Sequence, residues 1–472
     1  MSAGVPGAPT EVSTTVLVTT RAVRTAMHAE MSAAGTAHAG ADVTERILAT
    51  AQPLFHRALS EDLRGERRAV FRDRVAHALS PFGSADIDDP YSGAVERASA
   101  IVTAARSEAV TDLLNALVSA EYPAVPEASG PAAEEAGGNS LGEETASALH
   151  PDEVRAYLVE RLGGDVRVRS VKQLSGGLSK QTTLLTVDRG AADPDEIVLR
   201  QVAPGRDAHT LIDEYAVVSH VHARGVAVPE PLWLEPRDNA LGGPFFATRR
   251  ARGSNTGDVF GPDPGTTPSA AFALARELGR LHALDPAETV TTPIPPMATR
   301  DEIRDAIDEQ HHLVLGVERA VGLDAGPLPA VLFEWLHANI PAEVGDPVLL
   351  HGDPGFHNIL LDGAELTAML DWERARIGDP AQDLAYVRPA VEKIIPWADF
   401  LETYCSAGGR RPTVQQLDYY AVWHDAWRFV GSYRGLGRLV NEPRTLLDAL
   451  LGLDYAPRYL LGALDKAFEV DR

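Results

Sequence analysis

The chain has 472 residues, 44% hydrophobic and 23% charged, the balance of a soluble globular protein with room for two or three domains. A net charge of −24 opposes a nucleic-acid or anionic-membrane partner, because phosphate-bearing surfaces bind basic ones, and the single cysteine, Cys405, excludes an internal disulfide or a zinc site built from several cysteines. The N-terminus lacks a signal-peptide core and no run reaches the ~18 apolar residues of a spanning helix, so the expected location is cytoplasmic.

Residues 1–40 are rich in Ala, Thr and Gly with weak periodicity and read as a mobile N-terminal segment. Residues 41–122 hold three amphipathic stretches, marked by Val43, Ile47 and Leu54, by Val70, Phe71 and Val75, and by Ile101, Val110, Leu113 and Leu117. Their helical spacing predicts a small all-α bundle, a candidate for homo-oligomerisation or partner docking. Residues 123–146, rich in Pro, Ala, Gly and Glu, read as a linker.

His150-Pro151-Asp152-Glu153 opens a helix, with proline in the first turn and acids at the positive end of the dipole; Gly163-Gly164 closes it. From Val171 to Val187 the pattern is strand, turn, strand, and the turn holds Ser175, Gly176, Gly177 and Ser179. Such glycines let backbone amides approach phosphates, although the Gly-Lys-Ser/Thr ending of a P-loop is missing. Ile197–Val202, containing Arg200, predicts a third strand. A helix follows over about 208–223, with Leu211, Tyr215, Val218 and Val221 on its apolar side. Strands are expected near Leu232–Leu234 and Phe245–Arg249. From Pro268 the chain is largely helical, with helices near 300–321 and 329–340. His311 and His312 are adjacent and so point to different faces, which is poor zinc spacing.

The chemistry concentrates in His351-Gly352-Asp353-Pro354-Gly355-Phe356-His357-Asn358, flanked by the apolar runs Val348–Leu350 and Ile359–Leu361 and followed by Leu370-Asp371-Trp372-Glu373. Asp353 lies on a tight Gly/Pro-rich turn, Asn358 five residues on, and Asp371 at the end of the next hairpin strand. Phosphoryl transfer needs this set: a carboxylate to orient and deprotonate a hydroxyl, and an amide plus a second carboxylate to hold magnesium on phosphates. Gly378-Asp379-Pro380 and Asp383 begin a further helix, with Asp379 as its cap. Both acids read as structural. The C-terminal part, from about Trp397, is helical and rich in aromatics and arginines.

This ordered set resembles the aminoglycoside phosphotransferase-like family of small-molecule kinases. It is closest to the branch related to the kinase-like domain fused to some acyl-CoA dehydrogenases. The resemblance covers about two-thirds of the chain. It implies an α+β, protein-kinase-like two-lobed fold: an N-lobe over 147–252 and a helical C-lobe over 253–472, preceded by the small all-α domain. It also implies ATP and Mg2+, with a hydroxyl of a small molecule as acceptor: a metabolite, a hydroxyacyl-CoA-like compound or an antibiotic. Asp353 is then the catalytic carboxylate, and Asn358 and Asp371 are the metal ligands. Ser175, Gly176, Gly177, Ser179, Arg200, Glu214, Thr248, Arg249 and Ala251 form the nucleotide site. Arg200 stands where the family usually has lysine, a familiar exchange in this branch. Glu214 is its expected partner and Asp213 the alternative. His357, Trp427, Arg428 and Arg434 are candidate acceptor contacts, and their character favours an acceptor with apolar area and an anionic group. His351 reads as a loop brace. The competing reading is a non-catalytic nucleotide sensor or scaffold acting through the N-terminal bundle.

Overall fold

The computed structural model describes residues 145–146, 149–174, 180–190, 194–202, 207–258, 261–263, 266–288, 291–321, 327–342, 344–441 and 446–468. The expected mobile segment at 1–40, the bundle at 41–122, most of the linker and the turn residues Ser175, Gly176, Gly177 and Ser179 lie outside them. The described residues fall into two compact units, one taking 145–303 and 341–420, the other 304–340 and 421–468.

The first unit begins with a six-stranded antiparallel sheet of order β1-β2-β3-β4-β6-β5. The strands are β1 (Thr145–Ala146), β2 (Arg167–Leu174), β3 (Gln181–Asp188), β4 (Asp195–Gln201), β5 (Pro231–Glu235) and β6 (Phe245–Arg249). Thr145 pairs with Gln173 and Ala146 with Lys172, so the sheet takes in the end of the expected linker.

Helix α1 (Pro151–Leu162) lays Val154, Tyr157 and Leu158 on the sheet, where Leu185, Val187, Ile197, Leu199, Trp233 and Phe245 meet them. Burying side chains of this size contributes about 1.5–3 kcal/mol each. The polar tips are matched as well: the Trp233 indole donates to the Tyr157 hydroxyl, which donates to Glu235 Oε1 at 2.7 Å. A smaller cluster of Val202, Leu211 and Phe246, with Tyr215 and Leu234 against it, seats helix α2 (His209–His222). Leu199 joins the first cluster and Arg200, next along β4, points the other way.

The rest of this unit is mainly helical. It contains the hairpin β7 (Gly257–Asp258) and β8 (Gly261–Pro262), helix α3 (Pro268–His282) and the first turn of α4 (Arg300–Val321). In the second unit, α4 continues and is followed by α5 (Pro327–Ala338). Returning to the first unit, β9 (Val348–Leu350) pairs with β12 (Arg376–Gly378), and β10 (Ile359–Asp362) with β11 (Glu365–Met369). The two apolar runs around Asp353 thus belong to different ladders, and the loop between them is held from both ends. Helices α6 (Ala381–Val391), α7 (Trp397–Ser406) and the start of α8 (Val414–Asn441) complete the unit, with α7 packed on α3.

The second unit contains most of α4, α5, the remainder of α8 and α9 (Leu446–Phe468). Helix α5 packs on α9, and His311 stacks on Phe333 with centroids 4.7 Å apart. Among the described residues no helix is long and apolar enough to cross a membrane.

Candidate active site

The loop after β9 needs a residue without a side chain at its first bend. Gly352 has φ +84°, and a Cβ there would lie 2.2 Å from the Arg374 carbonyl oxygen, so the turn closes only around glycine. Asp383, buried in α6, fixes the same bend by accepting the amides of His351 at 2.8 Å and Gly352 at 2.9 Å. Its own position is set by His282 Nε2 at 3.2 Å, and His282 Nδ1 meets the Tyr404 hydroxyl at 2.9 Å. Burial opposes the Asp383 charge, but His282 and the His351 contacts outweigh it and hold the carboxyl below its ordinary value. His351 is fully buried and packs against Trp372, ring centroids 4.5 Å apart; burial pushes its pKa down. Asp379 also takes a structural place, accepting the Ala381 amide at the start of α6 and that of Gly345.

Asp353 follows this braced bend. Burial disfavours its charge, but His357, Tyr386 and the nearby His351 outweigh that, bringing its pKa down to about 2. His357 Nε2 lies 3.6 Å from Asp353 Oδ1. Asn358 is buried, and its Nδ2 donates to the Asp353 carbonyl at 3.0 Å, which commits the nitrogen and leaves the amide oxygen as the acceptor end. The Asn358 carbonyl in turn accepts the Leu370 amide at 2.7 Å. That bond ties Asp353 and Asn358 to the segment carrying Asp371. Asp371 adopts a left-handed conformation, φ 65° and ψ 64°, the only non-glycine residue with positive φ among those described. Such backbone costs about 1–3 kcal/mol and clusters at functional sites.

Facing Asp371 is a dense ion-pair network. Glu214 on α2 is 1% exposed; its Oε1 is 3.2 Å from Arg200 Nε and its Oε2 2.8 Å from Lys180 Nζ. Burial raises the Glu214 pKa, against the opposing pull of these two cations. Asp213, the alternative partner, pairs instead with His209 at 2.8 Å. Arg200 Nη2 hydrogen-bonds Asp371 Oδ1 and lies 3.5 Å from Glu373 Oε2. Burial works against the Arg200 charge, but Glu214, Asp371 and Glu373 more than compensate and raise its pKa.

Asp353, Asn358, Asp371, Arg200, Glu214 and His357 therefore come together. Thr248 is buried in β6, paired with Val198 and Pro231. The amides of Arg249 and Arg250 donate to the carbonyls of Glu230 and Glu196, and the Arg249 side chain is engaged by Glu230 and Asp195. Ala251 follows the end of this ladder. Trp427, Arg428 and Arg434 lie on α8 in the second unit, where Arg428 pairs with Asp425 and sits over the Tyr459 ring. Lys180, Glu373 and Tyr386 were not singled out from the sequence. Lys180 and Glu373 stand within the motifs that were, and only the folded contacts distinguish them from solvated charges.

The profile of the phosphotransferase enzyme family matches residues 170–427, more than half of the chain, and the chain belongs to that family. Among curated proteins it is similar to acyl-CoA dehydrogenase family member 10 of Mus musculus, 27% identical over 234 residues, or 46% of this chain and 21% of that protein. It is also similar to member 11 of Gallus gallus, 28% identical over 225 residues, 46% of this chain and 27% of that one. The chain thus spans between a fifth and a third of the length of these relatives. A solved structure from Ralstonia eutropha JMP134, assigned to the aminoglycoside phosphotransferases, matches with a TM-score of 0.53 at 19% identity, covering 69% of this chain and all of that one. The mixed helix-and-sheet fold is the kinase-like fold of this family.

Proposed function

We propose that the chain is an ATP- and magnesium-dependent kinase for a hydroxyl group on a small molecule. One observation carries the reading: the Asn358 amide is tied to the Asp353 carbonyl while its backbone holds the segment of Asp371, so one carboxylate and one metal-type oxygen pair share a braced loop. Asn358 Oδ1 and the Asp371 carboxylate are hard oxygen donors. They suit magnesium, which takes one or two carboxylates and completes its shell with water and substrate phosphates. Held by Asn358 and Asp371, the ion would supply positive charge against the negative charge that grows on the phosphates during transfer.

In the reaction the acceptor oxygen forms a bond to the γ-phosphorus, the bond from that phosphorus to the β–γ bridging oxygen breaks, and ADP leaves. Asp353 orients the hydroxyl and takes its proton. Its low pKa keeps it ionised at neutral pH, so it acts first by orientation. Arg200, anchored by Glu214, steadies the phosphates, and its planar fork can do so in bidentate fashion. The end of β6 beside Thr248 would receive the adenine; there the amides of Arg249 and Arg250 are already taken and Ala251 offers the next backbone group. Catalysis is then chiefly positioning and charge compensation.

Trp427, Arg428 and Arg434 on α8 are the proposed acceptor contacts, and with neighbouring aromatics they favour a molecule with apolar area and an anionic group. A hydroxyacyl-CoA-like acceptor fits that description and the acyl-CoA dehydrogenase relatives better than a polycationic aminoglycoside does. The test is incubation of the protein with magnesium-ATP and pooled metabolites, hydroxyacyl-CoAs and antibiotics, read by mass spectrometry for gain of one phosphoryl group. A product from the hydroxyacyl-CoA class supports the acceptor reading, and a product only from cationic aminoglycosides overturns it.

A further inference from the structure

Two charged residues beside Arg200 have no part in the phosphoryl-transfer reading. Lys180 Nζ lies 2.8 Å from Glu214 Oε2 and 2.6 Å from Glu373 Oε2. Arg200 closes the figure, Nε 3.2 Å from Glu214 Oε1 and Nη2 3.5 Å from Glu373 Oε2. Lys180, Glu214, Arg200 and Glu373 therefore form a ring of alternating charge with a net charge of zero. Asp371 is attached to this ring through Arg200.

The ring is built from distant parts of the chain. Lys180 directly precedes β3, Arg200 is on β4, Glu214 on α2, and Glu373 on the turn after Asp371. The Lys180 side chain is 5% exposed and that of Glu214 2%. Charges so buried are tolerated only when paired, and removing one partner leaves the other uncompensated. Within the ring the contacts are unequal. Glu373 Oε2 is in short contact with Lys180 at 2.6 Å and only at the margin of Arg200 at 3.5 Å.

We propose that Lys180 is a positioning residue for the nucleotide phosphates: it holds Glu373, so that Arg200, once parted from Asp371, turns to phosphate oxygens and not to a second carboxylate. This rests on the reading of Arg200 as the phosphate cation. Were Asp371 to hold magnesium, Arg200 would lose one of its partners. With Lys180 in place the remaining ring is neutral and Glu373 is occupied. Without it the ring carries a net negative charge, and Glu373 closes on the guanidinium that the phosphates require. Lys180 acts through Arg200 and needs no contact with the nucleotide.

The test uses the full chain and calorimetric binding of two probes: magnesium with a non-hydrolysable ATP analogue, and adenosine, which has no phosphate for Arg200 to hold. Lys180→Met is expected to weaken the triphosphate analogue by about 10-fold or more, a change on the scale of coupled neighbouring charges, and to leave adenosine nearly unchanged. Lys180→Met/Glu373→Gln, which restores a neutral arrangement, is expected to recover most of that loss, and Lys180→Arg to bind close to wild type. A role in folding alone would weaken both probes together and would not be relieved by the second substitution. Triphosphate binding by Lys180→Met equal to wild type, or a double variant no better than the single one, overturns the proposal. If Lys180→Met does not fold, Lys180→Gln, which keeps a hydrogen-bond donor without the charge, takes its place with the same expectations. A wild type that binds neither probe overturns the nucleotide reading itself, a result distinct from failure of the Lys180 role.

Discussion

Arg200 Nη2 donates a hydrogen bond to Asp371 Oδ1, so the proposed phosphate cation and the proposed magnesium carboxylate neutralise one another. Loading with magnesium-ATP must exchange this pair for two others. Replacing Asp371 by alanine removes the metal ligand and also releases Arg200. Magnesium should then add little to nucleotide affinity, a loss of about 1.5–3 kcal/mol for a charge-assisted contact, while metal-free binding is unchanged or stronger. Titrating nucleotide with and without magnesium checks this. A magnesium effect as large as in wild type would remove Asp371 from the metal role.

Glu214 supports two cations from a buried position on α2. Glu214→Ala leaves Lys180 and Arg200 competing for Glu373 and Asp371. A buried pair broken from one side costs about 3–5 kcal/mol, and the midpoint of denaturant unfolding should fall accordingly. Asp213→Ala, whose partner is the exposed His209, should cost far less. Equal losses would contradict the assignment of Glu214 as the central acid.

Gly352 is constrained twice, by φ +84° and by the Arg374 carbonyl 2.2 Å from any added Cβ. Gly352→Ala should destabilise the protein by about 1–3 kcal/mol and displace the loop that carries Asp353. Phosphoryl transfer should fall more steeply than nucleotide affinity, since Arg200 and Glu214 lie on other elements. A variant with normal turnover would show that the bend does not position Asp353.

Asp353 is held at about 2, below its ordinary 3.8, with His357 and Tyr386 outweighing burial. A depressed carboxylate stabilises the fold above its ordinary value, and that contribution is lost as pH falls through about 2. Asp353 is therefore ionised throughout the neutral range, and no acid limb there belongs to it. Rate profiles of wild type and Asp353→Glu should share any limb near neutrality. A limb that moves with the substitution would contradict the low value.

Much of this was legible in the sequence because it is local. The helix from Pro151, the strands around Arg200 and the loop from His351 to Asn358 follow from periodicity, turn residues and spacing. The glutamate one residue from Asp213 was expected to face Arg200, and helix geometry places it there. What could not be read depends on contacts between distant segments. Thr145–Ala146 join the sheet through pairing with Lys172 and Gln173, which the composition of a linker does not announce. Arg376–Gly378 form a strand only because Val348–Leu350 lie beside them. Lys180 and Glu373 are 193 residues apart and look like ordinary surface charges until the fold brings them to 2.6 Å. The influence of Tyr386 on Asp353 is of the same kind.

The proposed division of labour, with Asp353 serving phosphoryl transfer to a hydroxyl and other residues holding the nucleotide, stands or falls on a comparison of wild type with Asp353→Asn. Both are incubated with magnesium-ATP and the pooled acceptors, and the products are counted by mass spectrometry alongside calorimetric affinity for magnesium-ATP. Wild type should give a phosphorylated product and Asp353→Asn almost none, while the two proteins bind the nucleotide with closely similar affinity. An undiminished rate in Asp353→Asn would contradict this division.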